Sequence, residues 1–191
     1  MSSDCTAGLL RWLADLETRH LRDMTTAEVA RALRALSSTY VERRARLSGR
    51  GAFDSAGKRA AYALYYAPRR FLMTDHVVAQ LDPGPVPTHL TDLGCGTGAA
   101  GAAWACRAGG GASLVGIDTH PWAVDEARAT YRAFHLDGQA RRGSATDGTW
   151  THLGRPRRGA APAPRAVVLS YVANELADEA RREMVLALFF E

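Results

Sequence analysis

Residues 90–101 read LTDLGCGTGAAG and place four glycines within eight positions, directly after a short apolar run. Gly96, Gly98 and Gly101 satisfy the dinucleotide fingerprint G-x-G-x-x-G, whereas Gly94, Gly96 and Gly98 satisfy G-x-G-x-G. A third interpretation is that the glycines only allow a helix to pack closely on a sheet. The stretch therefore predicts a strand, a tight loop and a helix, with or without a ligand.

Short apolar runs alternate with helical ones from residue 88 onward. Strands are predicted at 88–93, 112–118, 139–144 and 165–172, and helices at 99–108 and 121–134, the second with Pro121 in its first turn. Such alternation is typical of a parallel sheet covered by helices. We therefore expect an α/β, Rossmann-like domain at 88–191.

The chain before this domain has a different pattern. Residues 1–81 predict an all-helical segment, and residues 82–87 a proline-rich linker. Residues 1–80 contain 13 Arg and Lys against 8 Asp and Glu, while residues 81–191 contain 11 against 12. This basic excess indicates either a nucleic-acid footprint or arginines that solvate helix faces.

Several classes of protein are disfavoured by composition. No run approaches the about 20 apolar residues of a membrane span, and the first residues do not resemble a leader, so we expect a cytoplasmic protein. The three cysteines are odd in number and include no C-x-x-C pair, and the six histidines form no spaced pair. The sequence therefore predicts neither a disulfide framework nor a metal site.

Two acidic residues narrow the ligand of the glycine loop. Asp118 ends the second predicted strand, 20 residues beyond Gly98, where a carboxylate can accept hydrogen bonds from ribose hydroxyls. Asp92 precedes Gly94 by two residues, and its negative charge is unfavourable beside a pyrophosphate. S-adenosylmethionine suits both, because it has a ribose, no phosphate, and cationic sulfonium and ammonium groups.

Two sets of motifs carry a family resemblance. DLGCGTG (92–98) followed by GID (116–118) resembles the cofactor motifs of class I S-adenosylmethionine-dependent methyltransferases. VVLSYVANEL (167–176), AYALYYAPRRF (61–71) and the Trp104 helix are similar to the methyltransferase-like family of the mitochondrial small ribosomal subunit and its bacterial relatives. The cofactor that this resemblance implies is S-adenosylmethionine.

The resemblance implies a cofactor loop, a residue near the methionine end and a residue at the ribose. At the end of the third strand many class I enzymes have an acidic residue near the adenine, whereas this chain has Ser144, so that Asp147 would stand in. The cofactor-binding residues implied in this way are Asp92, Gly94, Gly96, Gly98, Asp118, Ser144 and Asp147.

Catalytic residues are implied where the fourth strand ends. Asn174 and Glu175 would face the methyl group, with Asn174 accepting a hydrogen bond from a substrate amine and Glu175 acting as a base or holding that amine. The alternatives are an Asn174 that caps the next helix and a Glu175 that places charge in its first turn. The Asn-Pro-Pro-aromatic motif of amino-group methyltransferases is absent.

The resemblance also implies a partner, ribosomal RNA or the small ribosomal subunit, and neither a membrane nor DNA. Tyr65, Tyr66, Arg69 and Arg70 combine aromatic and basic character as an RNA-stacking surface would, or form a helix packed on the cofactor domain. Two alternatives stay open: a small-molecule methyltransferase and a non-catalytic assembly factor that binds S-adenosylmethionine.

The last residues raise a separate expectation. A complete class I sheet has seven strands, and four are predicted before Glu191, so strand 165–172 would be an unpaired edge. We expect a fragment or truncated product that is poorly soluble or inactive alone; the alternative is a shortened protein that dimerises over this edge. Long members of the family also carry a cysteine-containing region associated with an iron–sulfur cluster, which lies beyond this chain, and we assign no metal.

Overall fold

A computed structural model of the chain describes residues 2–42, 53–81, 86–153, 163–174 and 176–190. The predicted linker at 82–87 therefore lies outside the described residues for its first four positions, and so does Glu175.

The sheet has four parallel strands in the order β3-β2-β1-β4. They are β1 (His89–Leu93), β2 (Ser113–Asp118), β3 (Gly138–Arg142) and β4 (Arg165–Val168). Asp92 of β1 lies between Gly116 of β2 and Val168 of β4. The predicted α/β, Rossmann-like class is confirmed.

Two strands end earlier than predicted. β3 stops at Arg142, and β4 stops at Val168, four residues before the predicted end at 172. Tyr171 has a φ of +70°, which is incompatible with a strand, and a 3-10 turn (Val172–Asn174) follows it. The chain therefore leaves β4 sharply at the carboxyl edge of the sheet.

Three helices belong to the sheet domain: α5 (Ala99–Arg107), α6 (Pro121–Ala133) and α7 (Asp178–Phe190). The first turns of α5 consist of small buried residues, so that this helix lies close to β1 and β2. On α6 Val124, Ala127 and Tyr131, at helical spacing, form a buried inner face.

The segment before the sheet is helical, as predicted. It comprises α1 (Ser3–His20), α2 (Thr26–Glu42), α3 (Ala56–Ala61), a π-helical turn (Tyr62–Tyr66) and α4 (Ala67–Gln80). At the start of α2 Thr25 and Glu28 form a capping box, since the Thr25 amide donates to Glu28 Oε2 at 2.7 Å and the Glu28 amide donates to Thr25 Oγ1 at 3.3 Å. Pro68 lies in the first turn of α4, directly after the π-helical turn, and the backbone stays helical through Tyr66 and Ala67.

The helical segment and the sheet domain share one core. Trp12 of α1 is fully buried, and its indole Nε1 donates to Thr130 Oγ1 of α6 at 3.0 Å. Phe71 of α4 stacks on Phe134 after α6 with ring centroids 4.9 Å apart. In the described part of the chain, no helix has the length and apolarity needed to cross a membrane.

Candidate ligand-binding site

The site lies at the carboxyl edge of the sheet, where the strand order reverses. β2 and β3 lie on one side of β1, and β4 lies on the other. In open α/β sheets such a reversal opens a crevice between the loops that follow the two neighbouring strands. Here these loops are Gly94–Gly98 after β1 and Tyr171–Asn174 after β4. They are in close contact, because a Cβ on Gly94 would lie 2.5 Å from Val172 Cγ2.

The glycine loop requires glycine for its own conformation. Gly94, Gly96 and Gly98 have φ angles of +64°, +53° and +74°, in the left-handed region that side chains disfavour. Packing adds a second requirement, since a Cβ on Gly98 would lie 2.7 Å from the Tyr131 ring and 3.0 Å from Ala127 Cα. Conformation and packing therefore account for these glycines without a ligand. Evidence for a ligand site must come from the neighbouring polar groups.

Asp118, at the end of β2, connects the loops of this edge. Its Oδ2 accepts a hydrogen bond from the Gly96 amide at 2.9 Å, and its Oδ1 accepts one from the His120 amide at 2.8 Å. Its backbone carbonyl accepts from the Gly143 amide after β3 at 3.1 Å. The carboxylate is half-buried, and each oxygen retains a further lone pair, so it can still accept from ribose hydroxyls.

Asp92 is fully buried beneath the same loop. Its Oδ2 accepts a hydrogen bond from the Gly101 amide, in the first turn of α5, at 2.9 Å. Its Oδ1 has no hydrogen-bond partner among the described residues. Burial raises the pKa of Asp92 to about 7, although the Gly101 hydrogen bond opposes the rise, and Asp118 raises it further. Within the described part of the chain, Asp92 is thus a buried acid without a cation hydrogen-bonded to it.

Ser144 and Asp147 form a loop of their own after β3. Asp147 Oδ2 accepts from the Ser144 amide at 3.2 Å, and its Oδ1 accepts from the Thr149 amide and hydroxyl at 3.0 and 2.7 Å. The Thr149 hydrogen bonds are the main cause of a lowered pKa for Asp147, which is exposed. The loop begins beside Asp118, through Gly143, so a role at an adenine stays a prediction for both residues.

The predicted catalytic residues are only partly described. Asn174 ends the 3-10 turn that packs on the glycine loop through Val172, which places its backbone at the crevice. The Asn174 side chain and the whole of Glu175 lie outside the described residues. Their catalytic roles stay predictions.

Tyr62 and Arg70, which the sequence did not assign to this site, lie next to Gly96 of the glycine loop, and Tyr171 packs on Arg70. The Arg70 guanidinium stacks on the rings of Tyr62 and Tyr171, 4.9 and 4.8 Å from their centroids, and donates to the Tyr62 hydroxyl. A Cβ on Gly96 would lie 3.0 Å from that hydroxyl and 3.7 Å from Arg70 Nη1. The aromatic and basic character of 61–71 was visible in the sequence, but its direction towards the loop was not.

Among the described residues, no group of three or more His, Cys, Asp or Glu side chains is arranged to hold a metal ion. All three cysteines are free thiols. No protein-family model matches the chain, and no curated protein sequence is significantly similar to it.

Proposed function

We propose that this chain binds S-adenosylmethionine at the glycine loop and acts as a methyltransferase or methyltransferase-like protein. The observation that carries the proposal is the buried Asp92 carboxylate, which occupies the Gly101 amide at the start of α5 and presents a second oxygen without a partner among the described residues. A negative group in this place selects for a ligand with positive charge.

The same carboxylate disfavours a dinucleotide. Dinucleotide sites place a pyrophosphate on the free amides at the N-terminus of the helix after the glycine loop. Here one of these amides already donates to Asp92 at 2.9 Å, and a phosphate nearby would lie beside a buried carboxylate. In a low-dielectric site such like-charge contact costs several kcal/mol, on the order of 4 kcal/mol for two charges about 4 Å apart.

The residues present fit S-adenosylmethionine. Asp118 can accept from the ribose hydroxyls, and the second oxygen of Asp92 can meet a cation. When bound, the cofactor supplies an electrophilic methyl group on a positively charged sulfur. The protein's contribution is to hold and orient this end and to exclude water from it.

Isothermal titration of the chain with S-adenosylmethionine and, separately, with NAD tests the proposal. We expect binding of S-adenosylmethionine and no measurable binding of NAD. Tight binding of NAD without binding of the sulfonium compound would show that the glycine loop holds a dinucleotide.

The proposed partner is ribosomal RNA or an assembling small ribosomal subunit. This part of the proposal is supported by the resemblance of 61–71 and 167–176 and by exposed arginines on the helical segment, among them Arg11, Arg22, Arg31 and Arg34. Neutralised phosphates give binding that weakens steeply with salt.

Crosslinking of the complete protein to RNA in cells, read at nucleotide resolution, tests the partner. Absence of crosslinks, together with subunit binding that does not depend on salt, would favour a small-molecule methyltransferase. Where RNA is crosslinked, mass spectrometry of that RNA from a strain with Asn174→Ala separates the two remaining roles. Loss of one methyl group indicates catalysis, and unchanged methylation indicates a non-catalytic assembly factor.

A further inference from the structure

Arg70 is held in a fixed place by three separate parts of the chain. It lies on α4, and its guanidinium lies over the rings of both Tyr62 in the π-helical turn and Tyr171 after β4. It donates through Nη1 to the Tyr62 hydroxyl.

This cation lies at the rim of the candidate site. A Cβ on Gly96 would approach Arg70 Nη1 to 3.7 Å, and Gly96 is the central glycine of the loop. The positive charge of Arg70 acts on the buried acid of the same site, since it lowers the pKa of Asp92 against the dominant effect of burial. A ligand that follows the glycine loop therefore meets an acid on the sheet side and a guanidinium on the helical side.

The backbone beside Arg70 adopts an unusual conformation. Tyr171 has a φ of +70°, which is rare for a bulky aromatic residue and costs on the order of 1 to 3 kcal/mol. This conformation brings its ring over Arg70 and its hydroxyl to Met73 Sδ at 3.3 Å. Such outliers persist where surrounding contacts stabilise them. Here the contacts of Tyr171 with Arg70 and Met73 stabilise the unusual backbone, and the same contacts hold the Arg70 guanidinium in place.

An acid and a guanidinium next to one glycine-rich segment complement a zwitterion. We propose that Arg70 binds the carboxylate of an α-amino-acid group in the ligand, with Asp92 facing the ammonium group of the same ligand. The inference rests on the proposed function, because S-adenosylmethionine carries such a group at its methionine end. It adds that the helical segment supplies part of the ligand site through Arg70, and it distinguishes the ligand from nucleosides that lack an amino acid.

The test compares three probes by isothermal titration: S-adenosylmethionine, decarboxylated S-adenosylmethionine and 5′-methylthioadenosine. The decarboxylated compound keeps the ribose, sulfonium and ammonium but lacks the carboxylate. The complete chain should bind S-adenosylmethionine at least tenfold more tightly than the decarboxylated compound, because a guanidinium–carboxylate pair is a strong, charge-assisted contact.

Arg70→Met, which keeps much of the length of the side chain, should weaken binding of S-adenosylmethionine by about 10- to 100-fold and leave the decarboxylated compound unchanged. The matched control is Arg69→Met, on the neighbouring residue, which should alter neither affinity. Arg70→Lys, which keeps the charge but lacks the fork, should lie between the wild type and Arg70→Met, and it serves as the variant if Arg70→Met does not fold by circular dichroism.

Two results would overturn the inference while leaving the proposed function intact. One is equal affinity of the wild type for S-adenosylmethionine and its decarboxylated form. The other is an equal loss for both probes in the folded Arg70 variants, which would make Arg70 a support for the two tyrosines. If the wild type binds none of the three probes, the proposed function itself fails and the inference fails with it.

Discussion

Between pH 5 and pH 8 the stability of the ligand-free Asp92→Asn variant should rise relative to that of the wild type. In the folded chain burial raises the pKa of Asp92 from its ordinary value of 3.8 to about 7. An acid whose pKa is raised on folding binds an extra proton in the folded state between these two values. Its contribution to stability is therefore present at low pH and is lost as pH rises through about 7.

The size of the effect follows from the same displacement. A tenfold change in proton affinity corresponds to about 1.4 kcal/mol, so the shift from 3.8 to about 7 amounts to about 4 kcal/mol over the whole range. Between pH 5 and pH 8 about 2 to 3 kcal/mol of this is lost in the wild type. The Asp92→Asn variant keeps an acceptor for the Gly101 amide without the charge, so it should not show this loss.

The assay is urea denaturation of both proteins at pH 5, 6, 7 and 8. Asp147→Asn is the matched control, because hydrogen bonds from Thr149 lower the pKa of Asp147 from 3.8, so its contribution to stability is lost only below this range and the variant should differ from the wild type by the same amount from pH 5 to pH 8. A stability difference between Asp92→Asn and wild type that does not change with pH would refute the description of Asp92 as a buried, uncompensated acid.

The ligand-free folded protein favours protonated Asp92, whereas bound ligand should favour the ionised form. A cation beside Asp92 favours its ionised form, so binding of S-adenosylmethionine should be tighter at pH 8 than at pH 6. This increase in affinity should be up to about tenfold larger in the wild type than in Asp92→Asn, which serves as the reference. The reference is needed because an α-amino group also titrates near pH 8. Identical pH profiles for the two proteins would remove Asp92 from the ligand site.

Three further changes test the parts around this acid. Gly96→Ala should destabilise the chain by about 1 to 2 kcal/mol in urea denaturation, because alanine disfavours a φ of +53° and its Cβ would crowd the Tyr62 hydroxyl; an unchanged midpoint would contradict this. Asp118→Asn should weaken S-adenosylmethionine binding in titration by at least tenfold, since one of its two amide donors would then face an NH₂ group, and retained affinity would exclude a ribose contact. Glu126→Gln should cost about 1 kcal/mol in thermal unfolding because half-buried Arg19 loses its 2.6 Å ion pair with buried Glu126 but keeps its 2.9 Å pair with Asp15, whereas a neutral effect would show that the Glu126 pair adds nothing.

The fold was predictable because its signals are local. Alternating strands and helices, the Thr25–Glu28 capping box and the position of Pro121 each follow from a few neighbouring residues. The end of β4 was not predictable in this way. It depends on the left-handed Tyr171, whose ring and hydroxyl are placed by Arg70 and Met73, about 100 residues earlier in the chain.

The candidate site, like the fold, was predictable only where its signals are local in the sequence. The spacing of Asp92, the glycines and Asp118 indicated which residues lie at the carboxyl edge, because a motif fixes a strand, a turn and a helix together. Neither the complete burial of Asp92 nor its unpartnered oxygen follows from spacing. They depend on how α5 and the neighbouring strands pack around Asp92, and the position of Arg70 next to Gly96 depends on how α4 packs on the loop.

The charge of Asp92, more than the glycines, is the feature that calls for a ligand. The glycines have structural reasons of their own, in a left-handed turn and in close packing against Tyr131. The contact of Asp92 with the Gly101 amide needs an acceptor but no charge, and an asparagine would supply it without the cost of burying a carboxylate. Among the described residues no cation is hydrogen-bonded to its second oxygen, and we propose that a cationic group of the ligand binds there.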